Sequence, residues 1–85
     1  MHNITYTKRA LRALQSMPRN TARLIREKIH LLAEAPYQPS QNIKKLQGRP
    51  GYRLRVGDWR VIYEIEDEQL VILVLDIGPR GGIYQ

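Results

Sequence analysis

The chain has 85 residues, with 14 Lys or Arg against 8 Asp or Glu, a formal net charge of +6 and no cysteine. A chain this short buries one modest core, which excludes a Rossmann or barrel enzyme, and the lack of cysteine excludes disulfides and cysteine nucleophiles. We therefore expect one domain over residues 1–85. Because no apolar run reaches membrane-spanning length and the N-terminus lacks a signal-peptide core, we also expect a soluble, cytoplasmic protein without membrane contact.

The charges are unevenly distributed along the chain. Residues 1–55 carry twelve basic and two acidic side chains, whereas residues 56–85 carry two basic and six acidic ones. Ten of the fourteen cations are arginine, whose planar guanidinium suits phosphate and carboxylate groups. This distribution predicts a polyanionic partner, most simply a nucleic acid, although a basic surface alone is only an electrostatic footprint.

The N-terminal part of the chain predicts a short strand and two antiparallel helices. Residues 3–7 alternate like a strand, and Thr7 is a suitable N-cap for a helix whose apolar residues recur every three or four positions up to Met17. Pro18 fits the start of a second helix, which ends at Pro36. The apolar stripe of this second helix consists of Ala22, Ile25, Ile29, Leu32 and Ala33.

The opposite face of the second helix carries four potential cations, Arg19, Arg23, Arg26 and His30. Their spacings of four, three and four residues place them on one side of a helix. Such a stripe is compatible with an ordinary solvated surface or with one that follows a phosphate backbone.

A polar loop and three further strands are predicted after the helices. Residues 36–51 contain proline and glycine and favour a loop anchored by Ile43 and Leu46. Apolar and polar residues then alternate on both sides of a Gly57-Asp58 turn, which predicts a β-hairpin. Residues 70–77 form an almost continuous apolar run typical of a central strand. Residues 78–85 are predicted to be irregular. The predicted fold is α+β with two layers, in which the N-terminal strand joins a mainly antiparallel sheet of about four strands and the helical hairpin covers one face.

The two-residue turn determines which residues of the hairpin face each other. The expected pairs are Val56 with Trp59, Arg55 with Arg60, Leu54 with Val61, and Arg53 with Ile62. Pleating then places Arg53, Arg55 and Arg60 on one face, while the apolar residues pack against the helices. Because like charges directly opposite each other destabilise a strand pair, either a carboxylate such as Glu64 or an anionic ligand must compensate them.

The C-terminal segment adds Arg80 and Tyr84 at the end of the central strand. Tyrosine can stack on a nucleobase or simply fold onto the sheet. Four arginines and a tyrosine around one sheet face suit phosphodiester cleavage without a metal, because fixed donors stabilise the charge that develops in the transition state. Since His2 and His30 lack metal-ligand spacing and no phosphate-binding glycine loop is present, we expect no metal and no cofactor.

These motifs resemble the RelE/ParE superfamily of toxin–antitoxin toxins. The resemblance spans nearly the whole chain. It rests on residues 14–18, on Ile25, Ile29, Leu32 and Pro36, on Lys45-Leu46, and on the strand-turn-strand segment 52–65. The ending at residues 77–80 with Tyr84 is more similar to the RelE branch than to the gyrase-poisoning ParE branch. The resemblance implies a ribosome-dependent endoribonuclease that cleaves mRNA, inhibits translation and is neutralised by a small antitoxin.

In such enzymes the ribose 2′-hydroxyl attacks the adjacent phosphate without a metal, giving a 2′,3′-cyclic phosphate and a 5′-hydroxyl. The resemblance implies that Arg60 binds the scissile phosphate, Arg80 assists the leaving oxygen and Tyr84 orients the base, with Arg55 in the same catalytic group. The candidate RNA-binding residues are Arg53, which the resemblance implies, together with Lys44, Lys45, Arg19, Arg23 and Arg26. The general base is unassigned, because a guanidinium is a poor base at neutral pH; Glu64, Tyr84 or a ribosomal group could serve.

The implied partners are a RelB-like antitoxin with an acidic C-terminal segment, the ribosome with its mRNA, and operator DNA only through the antitoxin complex. Two alternatives remain open. A ParE-like DNA gyrase inhibitor would not need Arg60, Arg80 or Tyr84 for toxicity, and a catalytically inactive scaffold would use its arginines only to hold the antitoxin.

Overall fold

In the computed structural model, which describes residues 1–79, two helices cover one face of a five-stranded sheet. The elements are β1 (Asn3–Tyr6), α1 (Lys8–Ser16), α2 (Arg19–Glu34), β2 (Ile43–Lys45), β3 (Tyr52–Val56), β4 (Trp59–Glu66) and β5 (Val71–Pro79). The strand order is β1-β5-β4-β3-β2, and only the β1–β5 pair is parallel among these strands. The predicted two-layer α+β fold with a mainly antiparallel sheet is confirmed.

The helix boundaries follow from local chemistry. The Thr7 hydroxyl accepts a hydrogen bond from the Ala10 N–H at 3.1 Å and so caps α1, as predicted. Pro18 precedes α2, where its missing N–H leaves no helical hydrogen bond unmade. No helix within residues 1–79 has the length and apolar character needed to cross a membrane.

The core lies between the helices and one face of the sheet. The helices contribute Ala10, Leu14, Met17, Ile25, Ile29, Leu32 and Ala33. The sheet contributes Leu54, Val56, Val61, Tyr63, Ile72, Val74 and Ile77. Since Ala22, Trp59 and Ile65 pack against the same cluster, the predicted apolar helix stripe and the predicted apolar hairpin face are both confirmed.

Two strand predictions are wrong. Residues 43–45 form a fifth strand inside the segment predicted as a loop. Three residues are too few to display a period of two, and two of them are lysines, which protect an exposed sheet edge. Gly78 and Pro79, predicted to be irregular, belong to β5. Pro79 is tolerated there because β1 pairs only with residues 71–74, so no strand within residues 1–79 pairs with Pro79 on the β1 side.

The register of the β3–β4 hairpin is as predicted, and all four expected cross-strand pairs are present. The β4–β5 pairing contains a register shift that the sequence did not reveal. Ile62 pairs with Asp76 and Tyr63 pairs with Val74, so Leu75 is an extra residue in β5.

Candidate nucleic-acid interface

The β3–β4 hairpin brings three arginines to the sheet face that the helices leave uncovered. Arg55 pairs directly with Arg60, and Arg53 lies two residues earlier on β3. The residues that alternate with them, including Leu54 and Val61, are buried in the core beneath the helices. Because side chains alternate across a strand, the arginines lie on the outer face.

Strand β2 adds a lysine to this group, because Lys44 pairs with Arg53. Together these side chains line a depression of about 240 Å³ on the outer face. The lining residues are Gln41, Asn42, Lys44, Arg53, Arg55 and Arg60. We call this depression the basic pocket, and its lining among residues 1–79 includes no carboxylate.

The charges of the basic pocket are compensated only in part within residues 1–79. The Arg55 guanidinium donates to the Asn42 side-chain oxygen at 3.2 Å, and the Arg55 backbone N–H donates to the Asn42 carbonyl at 2.8 Å. Neither Lys44 nor Arg53 forms an ion pair with any of these residues. Glu64, the carboxylate considered above, does not form one with either of them. The charges of Lys44 and Arg53 therefore face solvent or a bound anion.

Asn42 is a lining residue of the basic pocket that was not predicted from the sequence. It lies in the segment predicted as a loop, and its contacts with Arg55 arise only because β2 pairs with β3. The one sequence signal was a polar residue immediately before the Ile-Lys-Lys segment. Asn42 fixes the direction of one guanidinium at the edge of the basic pocket.

Guanidinium and ammonium groups converging on one depression are suited to holding a phosphodiester. They donate charge-assisted hydrogen bonds to its oxygens and favour a transition state with increased negative charge. Within residues 1–79 no group of three or more His, Asp or Glu could hold a metal ion. The lining of the basic pocket among residues 1–79 includes no carboxylate or histidine, and the general base stays unassigned.

Not all predicted RNA-binding residues lie at this pocket. Lys45 pairs with Tyr52, which packs against the core, so Lys45 belongs to the helix-covered side of the sheet edge. Arg19, Arg23 and Arg26 are exposed on α2, in the opposite layer of the molecule. Together with His30 they form a second basic surface, which we call the helix stripe.

One member of the helix stripe is held by an aromatic contact. The Arg26 guanidinium lies 5.4 Å from the centre of the Tyr6 ring, within cation–π range. Burial raises the pKa of Tyr6, and the nearby Arg26 charge opposes that rise. The Arg26 side chain is therefore partly committed to packing on β1.

The end of β5 approaches the basic pocket, since Gly78 pairs with Arg60 and Pro79 with Trp59. Arg80 and Tyr84 lie outside the described residues. Their catalytic roles, like those of the pocket residues, stay predictions.

Comparisons with known proteins identify the family. Residues 4–84 match the family described as ParE toxin of type II toxin-antitoxin system, parDE. A candidate toxin of Methanocaldococcus jannaschii, RelE1, is 31% identical over 85 residues, covering 98% of this chain and 94% of that protein.

Solved structures agree with this assignment. The archaeal RelE–RelB complex from Pyrococcus horikoshii contains a chain 33% identical, with a TM-score of 0.80 and coverage of 95% of this chain and 97% of that one. A chain of the intact Escherichia coli RelBE complex is 23% identical, with a TM-score of 0.79 and coverage of 93% and 96%, and it supports the fold alone. The chain belongs to the RelE/ParE superfamily of toxins of type II toxin–antitoxin systems.

Proposed function

We propose that this toxin is a ribosome-dependent, metal-independent endoribonuclease that cleaves mRNA and thereby inhibits translation in the cytoplasm. The observation that carries the proposal is the basic pocket, in which Lys44, Arg53, Arg55 and Arg60 converge from three adjacent strands. A bound phosphodiester compensates the charges of Lys44 and Arg53, which form no ion pair within residues 1–79.

In the proposed reaction the ribose 2′-oxygen forms a bond to the neighbouring phosphorus while the bond from phosphorus to the 5′-oxygen breaks. The products are a 2′,3′-cyclic phosphate and a 5′-hydroxyl. Arg60 and Arg55 hold the phosphate oxygens as their negative charge increases, and Arg80 donates to the departing 5′-oxygen. Tyr84 orients the nucleobase. The 2′-hydroxyl proton passes to Glu64, Tyr84 or a ribosomal group, and the departing 5′-oxygen, hydrogen-bonded by Arg80, takes a proton from solvent to become the 5′-hydroxyl.

We further propose that a RelB-like antitoxin neutralises the toxin. The solved Pyrococcus horikoshii relative is a RelE–RelB complex, which supports a partner of this kind. An acidic segment of the antitoxin complements the basic pocket and folds over it on binding. Contact with operator DNA then occurs only through that complex.

The test of the ribonuclease proposal is to express the toxin alone and map the 5′ ends of cellular mRNA. We expect growth arrest and new cleavage sites within translated codons. The Arg60→Ala variant should lower the cleavage rate on isolated ribosomes by about 100- to 1,000-fold, the usual effect of removing one fixed donor to a developing charge.

The matched control is Arg12→Ala, which removes an exposed arginine of α1 and leaves the basic pocket intact. This variant should cleave like the wild type, and co-expression of the antitoxin should restore growth. Full activity of folded Arg60→Ala toxin would overturn the role of the basic pocket.

A ParE-like inhibitor of DNA gyrase is the second candidate, supported by the ParE description of the matching family. Growth arrest with intact mRNA and stalled gyrase would favour it. Absence of any arrest would favour a catalytically inactive scaffold that only binds the antitoxin.

A further inference from the structure

Asp76 is the only buried charged residue among residues 1–79, with 4% of its surface exposed. A buried carboxylate is costly unless it is paired and hydrogen-bonded. Its Oδ2 lies 3.0 Å from Nε of Arg9, and its Oδ1 accepts the Ile77 N–H at 2.9 Å. Arg9 itself is 77% exposed, so its guanidinium covers the carboxylate from the solvent side.

This ion pair lies next to the extra residue of β5. The neighbouring Leu75 carbonyl accepts from the Thr7 hydroxyl at 2.7 Å, and the Val74 carbonyl accepts from the Thr7 N–H at 3.0 Å. Thr7 and Arg9 belong to the junction between β1 and α1. That junction therefore holds the irregular part of β5 on both sides of the extra residue.

The extra residue determines what lies opposite Arg60. With Leu75 as a bulge, Ile77 pairs with Val61 and Gly78 pairs with Arg60. In an unbroken ladder continuing from the Tyr63–Val74 pair, Asp76 would face Val61 on the core side and Ile77 would face Arg60. The bulge therefore buries Ile77, keeps the carboxylate out of the apolar core, and puts a residue without a side chain beside the basic pocket.

We propose that Asp76 and Arg9 are positioning residues that hold the end of β5 in register beside Arg60. The proposal rests on the ribonuclease function suggested above, because the register matters for cleavage only if Arg60 binds the scissile phosphate. Burial of Ile77 already favours the bulge, and the ion pair restricts how far this segment opens. Arg80, the proposed donor to the leaving oxygen, follows the last residue of β5 in the sequence.

The Arg9→Met variant tests the proposal without removing a packed side chain. We expect amide hydrogen exchange at Ile77 and Gly78 to accelerate about tenfold or more, while the central core amides are little affected. On ribosomes kcat should fall about 10- to 100-fold with KM nearly unchanged, because small displacements at a reacting centre have effects of this size. Arg9→Lys, which keeps the charge, should recover much of the loss.

A second variant separates positioning from stability. The Arg9→Met/Asp76→Asn double variant removes the uncompensated charge, so its stability should approach that of the wild type while kcat stays low. Glu68→Gln, an exposed acid in the β4–β5 turn, is the neutral control. Wild-type kcat in folded Arg9→Met toxin, or faster exchange spread evenly over the whole sheet, would overturn the proposal.

The outcomes also separate this proposal from the proposed function. If the wild-type toxin cleaves no mRNA, the ribonuclease function fails, and the exchange rates at Ile77 and Gly78 alone decide whether the ion pair holds the strand end. If the wild type cleaves but exchange is unchanged in Arg9→Met, the positioning role fails while the ribonuclease function stands.

Discussion

Single side chains join distant parts of this small chain at its β1 edge. Asp67 in the β4–β5 turn contacts the His2 ring at 3.2 Å and accepts a hydrogen bond from the Tyr37 hydroxyl. The hydrogen bond to Tyr37, followed by that to His2, lowers the pKa of Asp67 below its ordinary value of 3.8. The same contact with Asp67 raises the pKa of Tyr37 to about 12.

The lowered pKa gives a pH-dependent contribution to stability. Because the folded state favours the ionised carboxylate, the contribution is present above about pH 4, near the unfolded pKa, and is lost as the pH falls through the folded pKa. We expect Asp67→Asn to be less stable than the wild type at neutral pH, with the difference vanishing in strong acid. Urea unfolding of both proteins across this range measures it, and a difference independent of pH would contradict it.

At the scale of elements, one glycine controls how the loop after β2 returns into β3. Gly51 has a φ of +110°, and a Cβ there would lie 2.8 Å from the Tyr63 carbonyl oxygen. Its own carbonyl accepts the Leu46 N–H at 3.0 Å, which closes the loop. Gly48 in the same loop has a φ of +74°, but a Cβ there would have no neighbouring atom within 4 Å. A substitution at Gly48 therefore introduces backbone strain alone, whereas one at Gly51 introduces backbone strain and a steric overlap.

We expect Gly48→Ala to lower the free energy of unfolding by about 1 kcal/mol, the cost of a positive φ for an L-residue. Gly51→Ala should lower it by more than about 2 kcal/mol, because a backbone oxygen must also move. Chemical denaturation of both variants checks the difference. Equal losses would show that the contact with Tyr63 relaxes without cost.

At the scale of the whole molecule, basic residues occupy both layers. The basic pocket lies on the uncovered sheet face, and the helix stripe lies on α2 in the other layer. Side chains in opposite layers cannot hold the same phosphate. If both surfaces bind RNA, the basic pocket binds the scissile phosphate and the helix stripe contributes only to docking on the ribosome.

This separation predicts different effects on binding and on chemistry. The Arg19→Ala/Arg23→Ala variant should weaken ribosome binding and reduce its salt dependence by about one unit of slope per lost phosphate contact. Its cleavage rate at saturating toxin should equal that of the wild type. Arg53→Ala/Arg55→Ala should instead lower the rate at saturation. Binding titrations at several salt concentrations and single-turnover cleavage distinguish the two surfaces, and a reduced saturating rate in the helix variant would contradict the separation.

Local chemistry was enough to predict much of this architecture. The Thr7 cap, the apolar stripe of α2 and the β3–β4 register depend on residues close in sequence, so the pattern alone identified them. The convergence of Arg53, Arg55 and Arg60 followed from that register and from the alternation of side chains across a strand.

Only the tertiary structure decided the features that join distant segments. Strand β2 exists because β3 offers it an edge, and this pairing brings Lys44 and Asn42 to the basic pocket. The bulge at Leu75 requires β4 and β5 to pair. The Arg9–Asp76 ion pair requires α1 and β5 to meet, although the two charges lie near opposite ends of the described chain. The sequence shows no periodic pattern or turn motif for such contacts, because they form between surfaces that exist only once the chain has folded.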